Sequence, residues 1–335
     1  MAFFQENCIF FNIEIIKLIM YDKYVVSFIF YFIGVKMSDI FETINYKKDE
    51  ALKKHTTMRV GGNAKYVFFP TSSDEIKSII NYCKKNKEKY ILIGNGSNII
   101  FSDKGYDGIV IKLSNNMSKI SSGDDRIYAE AGAVLSKVAN IAKDNELTGM
   151  EFAAGIPGTI GGAVSMNAGA YGGEMKDIIE YVDILEDDEV KRYDNKEMCF
   201  GYRKSIVNDD EECETKKDRI IIGAGLKLKK GNKKDIEDKM SELKEKRTSK
   251  QPLEYPSAGS TFKRPEGYFA GKLIEDTGLK GYRVGGAMVS EKHAGFVINY
   301  DNATAEDVIK LIEDVRDKVY EKYGVELSPE VKIIG

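Results

Sequence analysis

Two glycine-rich stretches carry the clearest chemical signal in the chain. The first, Gly94-Asn95-Gly96-Ser97-Asn98, directly follows the apolar run Tyr90–Ile93. Small residues at the end of a strand let backbone N–H groups approach an anionic or flat ligand closely. The third glycine of a G-x-G-x-x-G fingerprint is missing, so a Rossmann assignment fails on spacing, and alone the stretch reads equally well as a tight turn. The second, Gly155-Ile156-Pro157-Gly158-Thr159-Ile160-Gly161-Gly162, continues through AVSMNAGAYGG and holds seven glycines from Gly155 to Gly173. That density costs chain entropy that a simple turn does not need. No G-K-[ST] ending follows, which argues against an ATP-binding P-loop; a backbone cradle for a pyrophosphate fits better.

Side chains able to do chemistry are sparse. The histidines are His55 and His293, and the cysteines Cys8, Cys83, Cys199 and Cys213 include no C-x-x-C and no neighbouring histidine, so they read as reduced thiols rather than a metal site. Arg203 in GYRKS, Ser260 in AGSTFKRP and Glu330 in SPEVKIIG are, one at a time, more simply an ion-pairing arginine, a turn hydroxyl and a solvated acid. The 335 residues are 42% hydrophobic and 31% charged, which suits a folded soluble protein. With 50 basic and 53 acidic residues and no long block of either sign, nothing points to a nucleic-acid partner.

The elements that must position these residues alternate between short strands and helices. Ser72 and Glu75 stand at capping-box spacing before Ile76, Ile79, Ile80 and Cys83, one face of a helix. Residues 90–93 and 109–113 read as strands bordered by glycine. Val134, Leu135, Val138 and Ala142 mark a second helix, and the charged run at 208–219 a solvated loop. After Gly231 comes a very polar helix over 233–249 with Ile236, Met240 and Leu243 as its apolar stripe. A helix starting near Thr304 should bury Val308, Leu311, Ile312, Val315 and Val319 and stop at Gly324. The final segment VELSPEVKIIG reads as a strand. A boundary near 231 separates residues 37–231 from 232–335. Residues 24–35 are uncharged but shorter than the roughly 20 needed to span a membrane, and they lack the flanks of a secretory signal. Residues 1–36 are therefore read as a non-native extension, with translation starting at Met37, and no membrane association is expected beyond it.

HTTMRVGG, GNGSN, EFAAGIPGTIGGAVSMNAGAYGGE, GYRKS, YPSAGSTFKRP, GLKGYRVGGAMVSEKHAGFVIN and SPEVKIIG follow one another from about Thr43 to Gly335. Together they resemble the UDP-N-acetylenolpyruvoylglucosamine reductase family (MurB). The resemblance implies an α+β fold: a two-lobed FAD-binding region of the vanillyl-alcohol-oxidase (PCMH) type, followed by an α+β substrate-binding domain. It implies non-covalent FAD between the lobes, its pyrophosphate against Gly94, Asn95, Gly96, Ser97, Asn98, Gly155, Ile156, Pro157, Gly158, Thr159, Gly161 and Gly162, with residues 59–63 nearby. NADPH would be the co-substrate and a UDP-sugar enolpyruvate the substrate, in the cytoplasm, for cell-wall precursor synthesis. Ser260 matches the family's proton donor, Glu330 the carboxylate opposite it, and Arg203 the arginine that holds the enolpyruvyl carboxylate. Tyr202, Lys263 and Arg264 would meet the substrate, with Arg283 and Lys292 weaker candidates and His293 structural. The interval between Arg203 and Ser260 leaves no room for the tyrosine-bearing insert of the family's longer form, so the shorter form is expected. Two other readings share the glycine loops. An FAD-dependent oxidase of a small alcohol or sugar would not need GSTFKRP and SPEVKIIG, and a non-catalytic flavin-binding protein would not need Arg203, Ser260 and Glu330.

Overall fold

The computed structural model describes residues 40–208 and 218–335. The extension read at 1–36 and most of the charged loop read at 208–219 lie outside the described residues. Of the unit Met1–Thr43, the described part is one helical turn, α1 (Ile40–Thr43). The elements that follow belong to the unit Ile44–Gly335.

The first lobe is a mixed sheet. β1 (Tyr46–Ala51) leads into β2 (Asn63–Phe68), which α2 (Ser73–Asn86) joins to β3 (Tyr90–Ile93), and after β4 (Ile99–Phe101) the chain enters β5 (Tyr106–Lys112). The order is β1-β2-β5-β3, antiparallel between β1 and β2 and parallel elsewhere. Ser72 caps α2 by accepting the Glu75 N–H at 3.2 Å, while the Glu75 carboxylate reaches one residue further back to the Thr71 N–H, so only half of the expected box forms. Ile76, Ile79, Ile80 and Cys83 are the buried face of α2. The strand expected at 109–113 runs instead from Tyr106 to Lys112, because Ala64 of β2 extends the pairing edge to Tyr106.

The second lobe is an antiparallel sheet. β6 (Ile120–Ser122) and β7 (Arg126–Glu130) lead into α3 (Leu135–Asp144), β8 (Leu147–Thr148) and the short α4 (Ile160–Ser165). A tight hairpin of β9 (Gly169–Ala170) and β10 (Gly173–Glu174) precedes β11 (Ile179–Glu186), β12 (Glu189–Asp194), β13 (Ile220–Lys227) and β14 (Lys229–Lys230). The order β12-β11-β13-β7-β6 puts β13 in the centre, buried along seven of its eight residues, and α4 packs on β13 and β7. A central strand buried on both faces needs the continuous apolar run that IIIGAGL supplies.

The polar helix is α5 (Lys233–Lys250), and it packs against α3, β8 and the turn Glu151–Ala153 of the second lobe. Its stripe is narrower than expected: Ile236 and Leu243 are buried, Met240 only partly. The remaining region holds α6 (Ala270–Asp276), the antiparallel strands β15 (Arg283–Val284), β16 (Ala287–Val289) and β17 (Val297–Asn299), then α7 (Ala305–Tyr323) and β18 (Lys332–Ile334). α7 buries Val308, Leu311, Ile312, Val315 and Val319 as expected, starts in a Thr304/Asp307 capping box and ends at Gly324. Asp103 of the first lobe adds a second cap, accepting the Ala305 and Glu306 N–H groups at 2.9 Å each. This region's core is continuous with Met58, Val60 and Ile100 of the first lobe. β18 closes the arrangement by pairing in parallel with β4, Lys332 opposite Ile99. Among the described residues no helix is long and apolar enough to cross a membrane.

Candidate active site

A cavity of about 310 Å³ lies between the two lobes. Gly94 to Asn98 form one wall, at the end of β3; Gly158, Thr159, Gly161 and Gly162, at the start of α4, form the other. The loops meet closely. A Cβ on Gly94 would stand 2.3 Å from Thr159 Oγ1, and one on Gly96, whose φ is +61°, would stand 2.3 Å from the His55 carbonyl. Among the described residues, no acceptor takes the N–H groups of Asn95, Gly96, Ser97 and Asn98. Behind the loop, Thr56 Oγ1 is buried without a partner among the described residues. Half-buried donors without acceptors are what an anionic ligand satisfies, and the apolar residues Ile91, Leu113, Leu135, Ile220 and Ile221 offer a wall for a flat ring. These residues fit FAD.

A second cavity, about 360 Å³, brings together Tyr202, Arg203, Ser260, Arg264 and Glu330 with Phe269, Lys272, Lys280, Lys292 and His293. Residues 260–263 run antiparallel to 328–330: Lys263 N–H donates to the Ser328 carbonyl and Glu330 N–H to the Thr261 carbonyl, both at 2.8 Å. Strand alternation then turns Ser260, Phe262 and Arg264 to the cavity and Thr261 and Lys263 away from it. Lys263 is exposed and does not line the cavity. Arg203 Nε donates to Glu330 Oε1 at 2.9 Å. Burial pushes the Glu330 carboxyl above the usual range, with the Arg203 cation and then Lys263 pulling the other way. Tyr202 accepts the Arg264 N–H through its hydroxyl at 3.2 Å, and the Arg264 guanidinium lies 4.0 Å from the centre of the exposed Phe269 ring. The two cavities are braced to each other: Asn98 Nδ2 donates to the Glu330 carbonyl at 3.1 Å, and Lys332 N–H to the Asn98 carbonyl at 3.0 Å.

Not every expected residue reaches these walls. Gly155 and Pro157 do not line the inter-lobe cavity, and Gly155 faces the Arg247 side chain of α5. Residues 59–63 do not line it either, because Gly61 and Gly62 pack against Phe101 and Asp103 behind β4. Arg283 stacks over Tyr300 at 4.1 Å outside the second cavity. His293 lines that cavity, but its Nδ1 accepts the Gly295 N–H at 3.0 Å, a local turn contact. Sequence reasoning missed Arg219 and Lys332, which line the inter-lobe cavity, and Lys272, Lys280 and Phe269 at the other. A lysine or arginine in a mixed-charge sequence carries no local mark of facing inward; only the fold selects these.

Two α+β lobes around a glycine-walled cleft, with a third region closing a cationic cavity beside it, define an FAD-dependent oxidoreductase. Residues 64–190 match the FAD binding domain model, and residues 251–334 match the model of the UDP-N-acetylenolpyruvoylglucosamine reductase C-terminal domain. UDP-N-acetylenolpyruvoylglucosamine reductase from Caldanaerobacter subterraneus subsp. tengcongensis is 50% identical over 301 residues, 90% of this chain and 97% of the relative. That of Clostridioides difficile is 46% identical over 304 residues, 90% and 98% of the two chains. The crystal structure of the Thermus caldophilus enzyme superposes with a TM-score of 0.73 at 34% identity, covering 87% of this chain and 99% of that one. The chain belongs to the UDP-N-acetylenolpyruvoylglucosamine reductase family.

Proposed function

We propose that the protein reduces UDP-N-acetylglucosamine enolpyruvate to UDP-N-acetylmuramate with NADPH, in the cytoplasm, as a step of peptidoglycan precursor synthesis. The observation that carries this reading is the meeting of Arg203, Ser260 and Glu330 at one cavity, from segments far apart in sequence, beside the cofactor cleft. Residues 37–231 would hold the cofactor and 232–335 the substrate, with β18 returning to brace the two.

FAD held in the cleft by the two glycine loops would supply the two-electron chemistry that links NADPH to the enol ether. The chain's residues handle the charge and the proton. Hydride addition at the methylene carbon places negative charge on the neighbouring carbon and its carboxylate. Arg203 holds that carboxylate through its planar fork, and Glu330, whose hold on its proton is strengthened by burial, donates to the growing charge when protonated. The Ser260 hydroxyl delivers the proton to the carbon, and solvent returns a proton to the serine oxygen. The enol ether thus gains one hydride and one proton, and NADPH leaves as NADP⁺. Tyr202 and Arg264 line the cavity where a diphosphate can be met, whereas Lys263, turned to the outside, reaches the site through its charge alone. An oxidase reading leaves the antiparallel pairing of 260–263 with 328–330 without a task.

The test is product formation. NADPH consumption by the purified protein should require the enolpyruvyl substrate and yield, mole for mole, a UDP-sugar two hydrogens heavier. NADPH consumption with oxygen alone, indifferent to that substrate, contradicts the proposal.

A further inference from the structure

Arg203 sits at φ +56°, in the left-handed region that a residue with a Cβ adopts only under constraint. Its turn is closed by Gly201 N–H donating to the Lys204 carbonyl (3.0 Å) and Lys204 N–H to the Gly201 carbonyl (3.3 Å). Two fully buried side chains then fasten the turn to the end of α4. Asn167 Nδ2 donates to the Gly201 carbonyl at 2.9 Å and to Glu174 Oε2 at 3.0 Å, while its Oδ1 accepts the Lys176 N–H at 2.9 Å. Ser205 Oγ donates to the Ser165 carbonyl at 2.6 Å. Both hydrogens of the Asn167 amide nitrogen are thereby used, and its oxygen is used as well. Ser165 and Met166, at the same end of α4, line the cofactor cleft. The hydrogen bonds therefore tie the Arg203 turn to the element that borders the cofactor cleft.

We propose that Asn167 and Ser205 are positioning residues that set Arg203 for the substrate carboxylate. The MNAGAYGG segment, the later part of the second glycine run, serves the substrate arginine on this account rather than the cofactor phosphates. The inference rests on the reductase reading above. A small displacement of a fixed cation is costly in rate because the carboxylate must be held while hydride arrives.

Ser205→Ala and the nearly isosteric Asn167→Asp test it in the flavin-loaded protein. Reoxidation of the NADPH-reduced protein by the enolpyruvyl substrate should slow on the order of 10–100-fold. Calorimetric binding of the product UDP-N-acetylmuramate should weaken as well, while the rate of reduction by NADPH stays near that of the parent. In an Arg203→Ala background, Ser205→Ala should change neither quantity further, since the residue acts only through the arginine. Equal factors in both backgrounds indicate a general structural effect and overturn the inference. So does parent-like reoxidation in both variants. If the unmutated protein is not reoxidised by that substrate at all, the reductase reading falls, and the inference with it.

Discussion

The chemistry narrows to a few atoms around the Arg203–Glu330 contact. A glutamate 2.9 Å from a guanidinium would ordinarily be held ionised, yet burial outweighs the cation and raises its pKa. The acid role proposed for it draws on that balance. Because Glu330 must be protonated to donate, flavin reoxidation by substrate should fall as pH rises through this raised pKa. Lys263→Gln removes a cation that lowers it, so the falling limb should move to higher pH; stopped-flow rates across pH check this, and a limb moving downward contradicts it. The stability sign is the same: the folded state keeps the proton longer than the unfolded chain, so Glu330's contribution weakens as pH rises from the ordinary carboxylate range through the folded value. Ser260 is exposed on the cavity wall, as a donor to substrate must be. Ser260→Ala should leave reduction by NADPH intact and slow reoxidation by ~10²–10⁴-fold, with Ser260→Cys retaining part of the rate. Near-normal reoxidation in Ser260→Ala would reduce the serine to a turn residue.

Elements deliver these atoms through a few cross-chain ties. Glu186, at the end of β11 and 2% exposed, accepts from Tyr193 (2.6 Å), Lys191 (3.3 Å) and Arg219 Nε (2.9 Å), and Arg219 lines the cofactor cleft. Burial raises its pKa, but these bonds prevail and hold it at about 2, against 4.5 for a free side chain. That difference corresponds to on the order of 3 kcal/mol, present above the unfolded value and lost as pH falls from 4.5 through about 2. Glu186→Gln should therefore be less stable at neutral pH and lose less on acidification, as denaturant midpoints at the two pH values will show; parallel pH curves would contradict this. Asp103→Ala, which uncaps α7 from outside, should cost about 1 kcal/mol. Much at this scale was legible in the sequence. α2 and α7 declare themselves by apolar spacing and caps, and α3 by apolar spacing alone. The ties were not legible. Nothing local marks Asp103 as the cap of a helix some two hundred residues on, or β18 as the partner of β4, because such pairings are set by tertiary packing. Arg203, Ser260 and Glu330 were found only through resemblance, since each residue type at its position has a commoner structural use.

At the scale of the molecule, two lobes flank the cofactor cleft, and the C-terminal region, threaded back through β18, brings Glu330 and Ser260 to its edge. No histidine or cysteine among the described residues lines that cleft; His55 is engaged with Glu50 at 3.1 Å and Lys112 at 3.2 Å. The flavin should therefore be non-covalent, and acid precipitation should release all yellow colour into the supernatant, whereas colour kept in the pellet would reveal a covalent bond. The central claim, that one cleft passes electrons from NADPH to an enolpyruvyl UDP-sugar, is tested most directly by a single anaerobic turnover. NADPH should bleach the bound flavin in the absence of substrate, and one equivalent of UDP-N-acetylglucosamine enolpyruvate should restore the oxidised spectrum while yielding one equivalent of UDP-N-acetylmuramate. Flavin that bleaches but stays reduced when that substrate is added would contradict the account.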